Sequence, residues 1–353
     1  MKRTLRKVYG KCYEISPNCL RNILSKAVFA LTNKPFVNKS DVPLMKRFPG
    51  GYKGGLIISA DFELGWAFRY SKRGAYPEKM ANQTRENFPY FIKMFEDYEI
   101  PITWATVGHL MLSECKKGDH DWMHRIPYFE NKHWIYNKGD WFDCDPYTNW
   151  KKAKTWYAPD LIEKILNSKV KHEIGCHTFT HIDFSDKNCP LEVAEDEIKA
   201  CIEAAKKWNI TLKSMVFPGG TYGNYEVLKK YGFTNYRKKM EYDLSYPELD
   251  RHGLIILPSS RGLGNNGLGW SQEYFFSLFK KYIDKAVSTY TVCHFWFHPS
   301  IDIWFLHNVF PRILKYAAEL RNKNLLWIET MGNIAEFVRK IERKNLCQEL
   351  LVL

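Results

Sequence analysis

The chain has 353 residues and 45% hydrophobic content, which allows one barrel-sized domain or two smaller ones. Its net charge of +13 is uneven, because residues 1–54 hold 12 Lys and Arg against two acidic residues and the remainder holds 40 against 37. A nucleic-acid enzyme carries its positive charge around the working site, so this distribution argues against a nucleic-acid partner. No apolar run approaches the roughly 20 residues that are needed to span a membrane.

Cysteine usage and the first residues indicate the compartment. The nine cysteines are scattered and never form a C-x-x-C pair, which favours reduced thiols over a disulfide scaffold or a zinc ribbon. Residues 1–11 are basic but lack a following apolar core and a small-residue cleavage site, so they do not resemble a secretory signal. We therefore expect a cytoplasmic protein. A peripheral position at the inner face of the membrane is compatible with this expectation.

Residues 1–54 are predicted to form a basic N-terminal extension. Ser16 and Pro17 make a helix start signal, with Ser as the cap and Pro at the first position. The apolar residues after them follow helical spacing: Leu20, Ile23, Leu24, Ala27, Val28 and Leu31. A basic amphipathic helix suits an anionic membrane surface, so residues 1–33 have a candidate partner there; the alternative is that the helix packs on the main domain or on another protein. The prolines and glycines of residues 34–54 indicate a linker.

Strand and helix patterns alternate over residues 55–345, before a tail at residues 346–353. Strands are predicted at 56–60, 102–107, 170–174, 212–217, near 235, and at 254–257, 290–297 and 325–328. Helices are predicted at 86–98, 159–166, 190–207, 225–231, 272–286, 311–321 and 334–341. Residues 113–157 have little periodicity and form a predicted insertion. This alternation predicts an α/β fold, a (β/α) barrel of about seven parallel strands.

Four polar clusters fall at the predicted ends of strands. In a (β/α) barrel the active site forms at the carboxyl ends of the strands, so this coincidence predicts a functional site. The clusters are Asp61 with Glu63, His177 with His181, the turn Pro218-Gly219-Gly220, and His298.

The pair His177 and His181 is the predicted metal site. A fully extended chain rises about 3.3 Å per residue, which would hold the two imidazoles too far apart to share an ion. The preceding strand is predicted to stop at Gly175, and a turn at that point brings both imidazoles to one metal ion. The alternative is a pair of structural histidines.

The same His-x-x-x-His spacing occurs at two other places, so spacing alone is a weak signal. His294 and His298 lie along a predicted strand, where they are too far apart to share an ion. His120 and His124 lie in the insertion, where no pattern anchors them. These surroundings favour the pair that follows the strand end.

Two carboxylates at the first strand end complete the predicted site. Alternation along a strand places Asp61 and Glu63 on the same side. A histidine pair needs a carboxylate to form a triad with open positions for water and substrate. One carboxylate is then the ligand and the other a general base; a solvated carboxylate pair is the alternative.

Two further strand ends carry candidate groups. A histidine at the position of His298 can protonate a leaving group, whereas His294, deeper in the same strand, is more typical of an interior histidine. The turn Pro218-Gly219-Gly220 is tight enough for its backbone N–H groups to approach a developing oxyanion. The alternatives are a buried histidine that is satisfied by a carbonyl group and a plain loop turn.

Over about residues 55–341 the sequence resembles the metal-dependent polysaccharide deacetylases, which are carbohydrate esterases with a distorted (β/α) barrel. Their second motif, His-Ser/Thr-x-x-His, is matched in full by His177-Thr178-Phe179-Thr180-His181. The first motif is matched loosely by Ser59-Ala60-Asp61-Phe62-Glu63. The fifth, a strand that ends in His, is matched by Phe295-Trp296-Phe297-His298-Pro299.

Two family motifs are not matched. The third motif carries Arg before Pro, but Phe217 precedes Pro218 here, so Arg237 and Arg261 become candidates for the missing arginine. No counterpart of the fourth motif, an Asp-Trp pair, is identified.

The resemblance implies removal of an acetyl group, N-acetyl more than O-acetyl, from a sugar of a polysaccharide or its precursor. The bond broken is then a carbon–nitrogen amide bond and not a peptide bond. A divalent metal, zinc before cobalt, nickel or manganese, is implied at Glu63, His177 and His181. Asp61 becomes the base that takes the proton of the attacking water, and His298 the acid that protonates the departing amine. The reverse assignment of Asp61 and Glu63 stays open.

The insertion and the missing export signal bear on the substrate. Five tryptophans of the insertion either stack on sugar faces or pack its own core: Trp122, Trp134, Trp141, Trp150 and Trp156. The absence of an export signal favours an intracellular substrate such as a lipid-linked or nucleotide-linked sugar. Two rival functions are an amidohydrolase acting on a small nitrogenous metabolite and a non-catalytic scaffold at a membrane surface.

Overall fold

The computed structural model describes residues 35–350, apart from 39, 73, 75, 137–139 and 266–269. The predicted amphipathic helix and the rest of residues 1–33, for which a membrane surface was a candidate partner, lie outside the described residues, as do residues 351–353 of the predicted tail. Within the described part, no helix combines the length and apolar character needed to cross a membrane.

The strands follow the predicted alternation with helices. They are β1 (Gly54–Phe62), β2 (Thr103–Thr106), β3 (Phe129–Glu130), β4 (Ile135–Tyr136), β5 (Glu173–Cys176), β6 (Ser214–Val216), β7 (Asn235–Lys239), β8 (Glu248–Leu249), β9 (Ile255–Ser259), β10 (Arg261–Gly262), β11 (Val292–Phe297) and β12 (Leu326–Ile328). The helices are α1 (Pro77–Asp97), α2 (Pro159–Leu166), α3 (Leu191–Lys206), α4 (Tyr225–Lys230), α5 (Gln272–Thr289), α6 (Ile303–Asn308), α7 (Phe310–Asn322) and α8 (Met331–Leu350). Short 3₁₀ helices occupy Leu44–Lys46, Pro49–Gly51, Gly108–Met111 and Pro218–Gly220.

One curled sheet forms the barrel. Its strand order is β10-β11-β1-β2-β5-β6-β7-β9-β8, and β12 pairs with the first residues of β1. All of these pairings are parallel except that of β8 with β9. The hairpin of β3 and β4 belongs to the insertion. Because the strands are parallel, the loops after β1, β5, β6 and β11 meet at the same end of the barrel.

The sheet edges are brought together where β9 passes into β10. Only Ser260 separates the two strands, and β9 pairs with β7 whereas β10 pairs with β11. At this break the N–H of Ser260 donates to the carbonyl oxygen of His294 at 2.8 Å, and the N–H of His294 donates to the Ser260 hydroxyl at 2.9 Å. If β9 and β10 are counted as one position, seven parallel positions surround the barrel, with β8 and β12 outside the ring. This interrupted closure fits the distorted barrel of about seven strands that was expected.

Strand β1 lies inside the sheet because eight of its nine residues are apolar or small, and all nine, Asp61 included, are buried. Helix α1 covers the neighbouring strands with one aromatic face. Phe88 lies 5.1 Å from Trp104 of β2, and Phe91 lies 4.9 Å from Phe297 of β11, measured between ring centroids. Such aromatic pairs bury a large area in a fixed geometry. The aromatic face of α1 therefore packs against β2 and β11, and β11 is one of the strands whose carboxyl ends position the candidate site.

The predicted fold class is confirmed, and several element boundaries are shifted. The strand predicted at residues 170–174 lies at Glu173–Cys176, because continuous burial begins only at Ile174. Helix α1 begins at Pro77, well before residue 86, since proline is well suited to the first helical position. Helix α8 continues to Leu350, inside the segment that was expected to be a tail.

The described part of residues 34–54 packs against the amino-terminal end of the barrel, which differs from the linker that the sequence indicates. Arg47 is 5% exposed and Phe48 is 4% exposed. Arg47 donates to the carbonyl oxygens of Ser40 at 2.6 Å and Tyr290 at 3.1 Å. The ring of Phe48 lies edge-on to that of Tyr246, with 5.8 Å between centroids. This segment therefore contributes to the fold.

Candidate metal centre and active site

The predicted polar residues meet at the carboxyl end of the barrel. Asp61 lies near the end of β1 and Glu63 directly follows that strand, whereas His177 follows β5 and His298 follows β11. Ion-pair contacts connect Asp61, Glu63, His177, His181 and His298 into one group. Five residues that were predicted at three separate strand ends are thus brought together.

Glu63, His177 and His181 form a compact buried triad. Oε2 of Glu63 lies 3.2 Å from Nε2 of His177 and 3.1 Å from Nε2 of His181. The three side chains are 6%, 1% and 4% exposed, in that order. Their ligand atoms lie within 4.8 Å of one another, which is close enough to hold one metal ion. Two imidazoles and one carboxylate leave coordination positions open for water and substrate.

The hydrogen bond of His177 favours a cation in this triad. Its Nδ1 lies 2.7 Å from the carbonyl oxygen of Val216, which can only accept, so Nδ1 carries the proton. In the neutral imidazole Nε2 then directs a lone pair towards Oε2 of Glu63, which is itself an acceptor. Two acceptors so close together require a cation or a proton between them. Metal-binding histidines are oriented by such a carbonyl group, so these residues fit a divalent cation.

The pKa values in the triad suit cation binding at neutral pH. Burial lowers the pKa of His181 to about 4, against the opposing effect of Glu63, so its imidazole is neutral. Burial acts to raise the pKa of Glu63, but His298, His177 and His181 together hold it well below its ordinary value. Glu63 is therefore ionised, and the two groups are in the protonation states that metal ligands require.

The turn after β5 curls so that the two histidines face each other. Thr178 has φ 58° and His181 has φ 57°, both in the left-handed region that side chains other than glycine seldom adopt. The two imidazole centroids are 4.9 Å apart. The predicted turn is thus present, and it depends on two strained backbone positions that the rest of the fold must hold.

Buried partners hold this turn from both sides. Glu197 of α3 accepts hydrogen bonds from the N–H of Phe179 at 2.7 Å, the N–H of Thr180 at 2.9 Å and the Thr180 hydroxyl at 2.6 Å. The carbonyl oxygen of Thr180 accepts from the Arg69 guanidinium and from the indole N–H of Trp141, the latter at 3.0 Å. The sequence patterns did not indicate Glu197 or Arg69, because both act only through contacts distant along the chain.

Asp61 is held by Arg237 of β7. Nη1 and Nη2 of Arg237 donate to Oδ1 and Oδ2 of Asp61 at 2.6 and 2.7 Å, a bidentate pair. Burial acts to raise the pKa of Asp61, but Arg237 outweighs it and lowers that pKa below its ordinary value. Of the two arginines considered from the sequence, Arg237 is the one that contacts Asp61, whereas the Arg261 guanidinium lies 6.0 Å from the ring centroid of Tyr282.

A buried polar network extends from Arg237 towards the interior. Nη1 of Arg237 also donates to the Ser59 hydroxyl at 2.9 Å, and that hydroxyl lies 2.9 Å from Nε2 of His294. Burial lowers the pKa of His294 well below its ordinary value, so this imidazole is neutral. The network fits the interior role that the sequence indicated for His294.

His298 stands between the buried carboxylates and the solvent. Its Nε2 lies 3.4 Å from Oε1 of Glu63 and 4.0 Å from Oδ2 of Asp61. Its side chain is 44% exposed, whereas those of Glu63 and Asp61 are 6% and 7% exposed. An imidazole in this place can reach a substrate that enters from solvent.

The turn Pro218–Gly220 is present as a short 3₁₀ helix after β6. Proline has no N–H, and the N–H of Gly220 donates to the carbonyl oxygen of Phe217 at 3.0 Å. Gly219 has φ 58°, and a Cβ there would lie 2.7 Å from the His133 ring, so a side chain has no room. Among the three residues, the N–H of Gly219 is left as the candidate for contact with an oxyanion.

The insertion tryptophans are divided between the core and the surface. Trp134, Trp141 and Trp156 are buried, at 4%, 2% and 9% exposure. The indole N–H of Trp134 donates to the carbonyl oxygen of Ala67 at 3.2 Å. Trp122 is 47% exposed, so it is available to a ligand. Core packing therefore accounts for these three buried rings.

Part of this chain is similar in sequence to a known protein family. Residues 76–236 match the sequence profile of the family described as Polysaccharide deacetylase. That segment includes the turn with His177 and His181. A search of curated protein sequences finds no match to this chain.

Solved structures with related folds include two that are described as polysaccharide deacetylases. The one from Mycobacterium smegmatis has a TM-score of 0.60 at 15% identity and covers 88% of this chain and 96% of its own. The one from Pseudomonas aeruginosa PAO1 has a TM-score of 0.55 at 14% identity and covers 85% and 98%. The Puue allantoinase has a TM-score of 0.56 at 13% identity and covers 85% and 97%. At these identities the likeness establishes a shared fold.

The profile match includes the His177–His181 turn, and the barrel around it has the fold of solved polysaccharide deacetylases. The resemblance found in the motifs and the two comparisons therefore agree. Residues 76–236 are thus similar in sequence to the polysaccharide deacetylase family, and the barrel is similar in fold to two solved structures of that description.

Proposed function

We propose that this protein is a metal-dependent hydrolase that removes an acetyl group from a sugar. The observation that carries the proposal is the placement of an arginine-held carboxylate, Asp61, beside the triad of Glu63, His177 and His181. This placement separates a base from a metal ligand, although both come from one strand end. It supports Asp61 as the base and Glu63 as the ligand.

Glu63, His177 and His181 would hold the ion, which we propose to be zinc, with cobalt, nickel or manganese as substitutes. When bound, a divalent cation supplies Lewis-acid chemistry, polarising an acyl carbonyl group and lowering the pKa of water. Arg237 orients both oxygens of Asp61 and keeps the carboxylate ionised before the reaction, and Asp61 then accepts the proton of the attacking water. The N–H of Gly219 is the backbone donor that we assign to the developing oxyanion.

His298 gives the leaving group its proton. An amine leaves as a neutral molecule only if it is protonated, so an amide substrate depends on such an acid more than an ester does. The exposure of His298 and its closeness to Asp61 and Glu63 support this role. On this basis we propose an N-acetyl group on a sugar, in a polysaccharide or its precursor, as the preferred substrate.

An amide of a small nitrogenous metabolite is a second candidate substrate. The fold shared with the Puue allantoinase is the observation that favours it. The same residues would catalyse both reactions. The choice between the two substrates would depend on which molecule fits the solvent-facing side of the site. Substrate assays distinguish the two candidates directly.

The test is acetate release from N-acetylated and O-acetylated oligosaccharides, with allantoin hydrolysis as the comparison. We expect wild-type protein to release acetate, to lose activity on chelation and to regain it with added zinc. His177→Ala is expected to remove both activity and the ion of the triad. Unchanged metal content and unchanged activity in His177→Ala would contradict the proposal and would leave a non-catalytic scaffold as the simpler explanation.

A further inference from the structure

A second group of His, Cys and Asp side chains, the residue types that can bind a metal ion, lies apart from the triad. It consists of His109 in the 3₁₀ helix after β2, followed by Cys115, His120 and Asp145 in or near the insertion. We name these four residues the insertion cluster. One ligand atom from each lies within 4.8 Å of those from the other three. His124 does not join His120 in this cluster, because Nδ1 of His124 lies 2.8 Å from the Asp196 carboxylate.

The distances within the insertion cluster suit a tetrahedral ion. Nε2 of His109 lies 3.0 Å from Oδ2 of Asp145, and Sγ of Cys115 lies 3.2 Å from Nε2 of His120. Zinc bonds of about 2.0–2.3 Å place neighbouring ligand atoms about 3.3–3.6 Å apart in a tetrahedron. Shifts of a few tenths of an ångström would therefore open the cluster enough for zinc.

Outer hydrogen bonds direct the ligand atoms towards one another. Nδ1 of His109 lies 3.4 Å from the carbonyl oxygen of Trp156, so the other ring nitrogen, Nε2, is the one that faces Asp145 and would bind an ion. Oδ1 of Asp145 accepts from the Tyr157 hydroxyl and, at 3.0 Å, from the N–H of Tyr147, so that Oδ2 faces His109. Such outer partners are typical of metal ligands.

Burial and charge separate a metal site from a catalytic thiol. The Cys115 and His120 contact resembles the pair that activates a cysteine nucleophile. Cys115 is 2% exposed, His109 0% and Asp145 4%, so a substrate cannot reach the sulfur. A thiolate and a carboxylate together offset the charge of a divalent cation, and two neutral imidazoles complete a four-coordinate site without a net buried charge.

The insertion cluster lies directly behind the active-site turn. The ring of Phe179, which lies between His177 and His181 in sequence, is 5.4 Å from His109 and 5.2 Å from His120 by centroid distance. The N–H of His109 donates to the carbonyl oxygen of Phe179 at 3.0 Å. An ion in the cluster would therefore stiffen the support of the turn.

We propose that the insertion cluster binds a structural zinc ion that is distinct from the ion of the active site. Cys115 releases its thiol proton to solvent when the ion binds, and the thiolate, Asp145 and the two imidazoles become its ligands. The ion joins the end of β2 to both ends of the insertion. Its ligands include no member of the Glu63, His177 and His181 triad, so this proposal stands apart from the proposed function.

Metal content tests the proposal, on protein purified without a histidine tag. Elemental analysis is expected to find two zinc ions per chain in the wild type. Cys115→Ser is expected to hold one, His181→Ala one, and the double variant none. Cys189→Ser is the matched control, because Cys189 is also buried but lies outside the cluster, and it is expected to keep two. Unchanged zinc content in Cys115→Ser would overturn the proposal.

Cobalt substitution tests the proposal on the wild type itself as well as on the variants. The insertion cluster contains sulfur and the active-site triad does not, so a thiolate-to-cobalt charge-transfer band reports on the cluster alone. We expect the band in the wild type, in His181→Ala and in Cys189→Ser, and its loss in Cys115→Ser. A cobalt-loaded wild type without the band overturns the proposal even if Cys115→Ser fails to fold. One zinc ion that is lost in Cys115→Ser but kept in His181→Ala would support the cluster and contradict the proposed function.

Discussion

At the scale of single residues, the contact between Arg237 and Asp61 lowers the pKa of that buried carboxyl group. A carboxylate with 7% exposure loses the solvation that ordinarily keeps it ionised. Two charge-assisted hydrogen bonds at 2.6 and 2.7 Å replace that solvation. Asp61 can therefore accept a proton at neutral pH while remaining within the barrel wall.

Arg237→Gln is expected to lower kcat by roughly 10-fold to 100-fold, part of the 10²-fold to 10⁴-fold that a general base supplies. Because Arg237 lowers the pKa of Asp61, its removal raises that pKa. The acid limb of the pH–rate profile should therefore move to higher pH. Acetate release measured across pH checks both effects.

The matched control for this variant is Arg261→Gln, since the Arg261 guanidinium lies over Tyr282. Its pH–rate profile should match that of the wild type. Arg237→Lys keeps the charge but not the bidentate geometry, and it should fall between the wild type and Arg237→Gln. An unshifted acid limb in Arg237→Gln would contradict the role assigned to Arg237.

His172 is a second residue whose environment determines its charge. Its Nδ1 accepts from the N–H of Ile102 at 3.2 Å, and its ring lies 5.8 Å from Phe95 between centroids. Burial lowers the pKa of His172 from 6.5 to about 4, against a small opposing effect of Glu96. The folded protein therefore resists protonation of a group that the unfolded chain protonates readily.

The stability that depends on neutral His172 should be fully present above pH 6.5 and lost as the pH falls from 6.5 towards 4. At pH 4 this loss amounts to about 3 kcal/mol of unfolding free energy. His172→Asn keeps an acceptor for Ile102 but does not titrate, so its unfolding free energy should fall less over this interval. Urea unfolding of both proteins at several pH values measures the difference, and parallel curves would rule out the effect.

At the scale of elements, the turn between β5 and α3 is positioned by the helix that follows it. The carboxylate of Glu197 takes three hydrogen bonds from Phe179 and Thr180. This contact offsets the strain of φ 58° at Thr178 and φ 57° at His181. Helix α3 thus supports the candidate metal centre, although it provides none of the three candidate ligands.

Glu197→Ala should destabilise the fold by roughly 2–6 kcal/mol, because two buried N–H groups and a hydroxyl lose their acceptor. The variant should also lose zinc from the triad, since the turn relaxes. Glu197→Gln is the matched control, and it retains one carbonyl acceptor and should lose less of both. Urea unfolding with elemental analysis provides the two readouts, and equal losses in the two variants would contradict this account.

At the scale of the whole molecule, residues that precede β1 cover one end of the barrel, and the candidate site is accessible to solvent at the other end. Arg47 and Phe48 pack against the amino-terminal end, where Arg47 donates to backbone carbonyl groups on both sides of the contact. The carboxyl end has the exposed His298 above buried carboxylates. The packed segment before β1 and the candidate site therefore lie at opposite ends of the same sheet.

Phe48→Ala should lower the unfolding free energy by about 3–5 kcal/mol, because it empties a buried aromatic position. Met45→Ala is the matched control from the same segment, since Met45 is 81% exposed and its loss should cost about 0.5 kcal/mol or less. Urea unfolding measures both. Similar values for the two variants would show that this segment does not belong to the folded barrel.

The sequence by itself determined the fold class and most of the candidate site. The apolar run of β1 and the alternation of strands and helices predicted the barrel, since burial of a strand between layers leaves a local signature. The histidine spacing at His177 and His181, with Asp61, Glu63 and His298 at other strand ends, predicted the group of residues that meets at the carboxyl end.

The tertiary structure decided which distant side chains meet. Arg237 reaches Asp61 from the opposite side of the ring. Strands β7 and β1 are distant in the chain and are not neighbours in the sheet, but they face each other across the barrel. His120 joins His109 rather than His124, because the insertion folds back over the end of β2. The hydrophobic pattern of a segment predicts which residues are buried, but it does not predict which distant residues they contact. Contacts across the barrel therefore have to be taken from the tertiary structure.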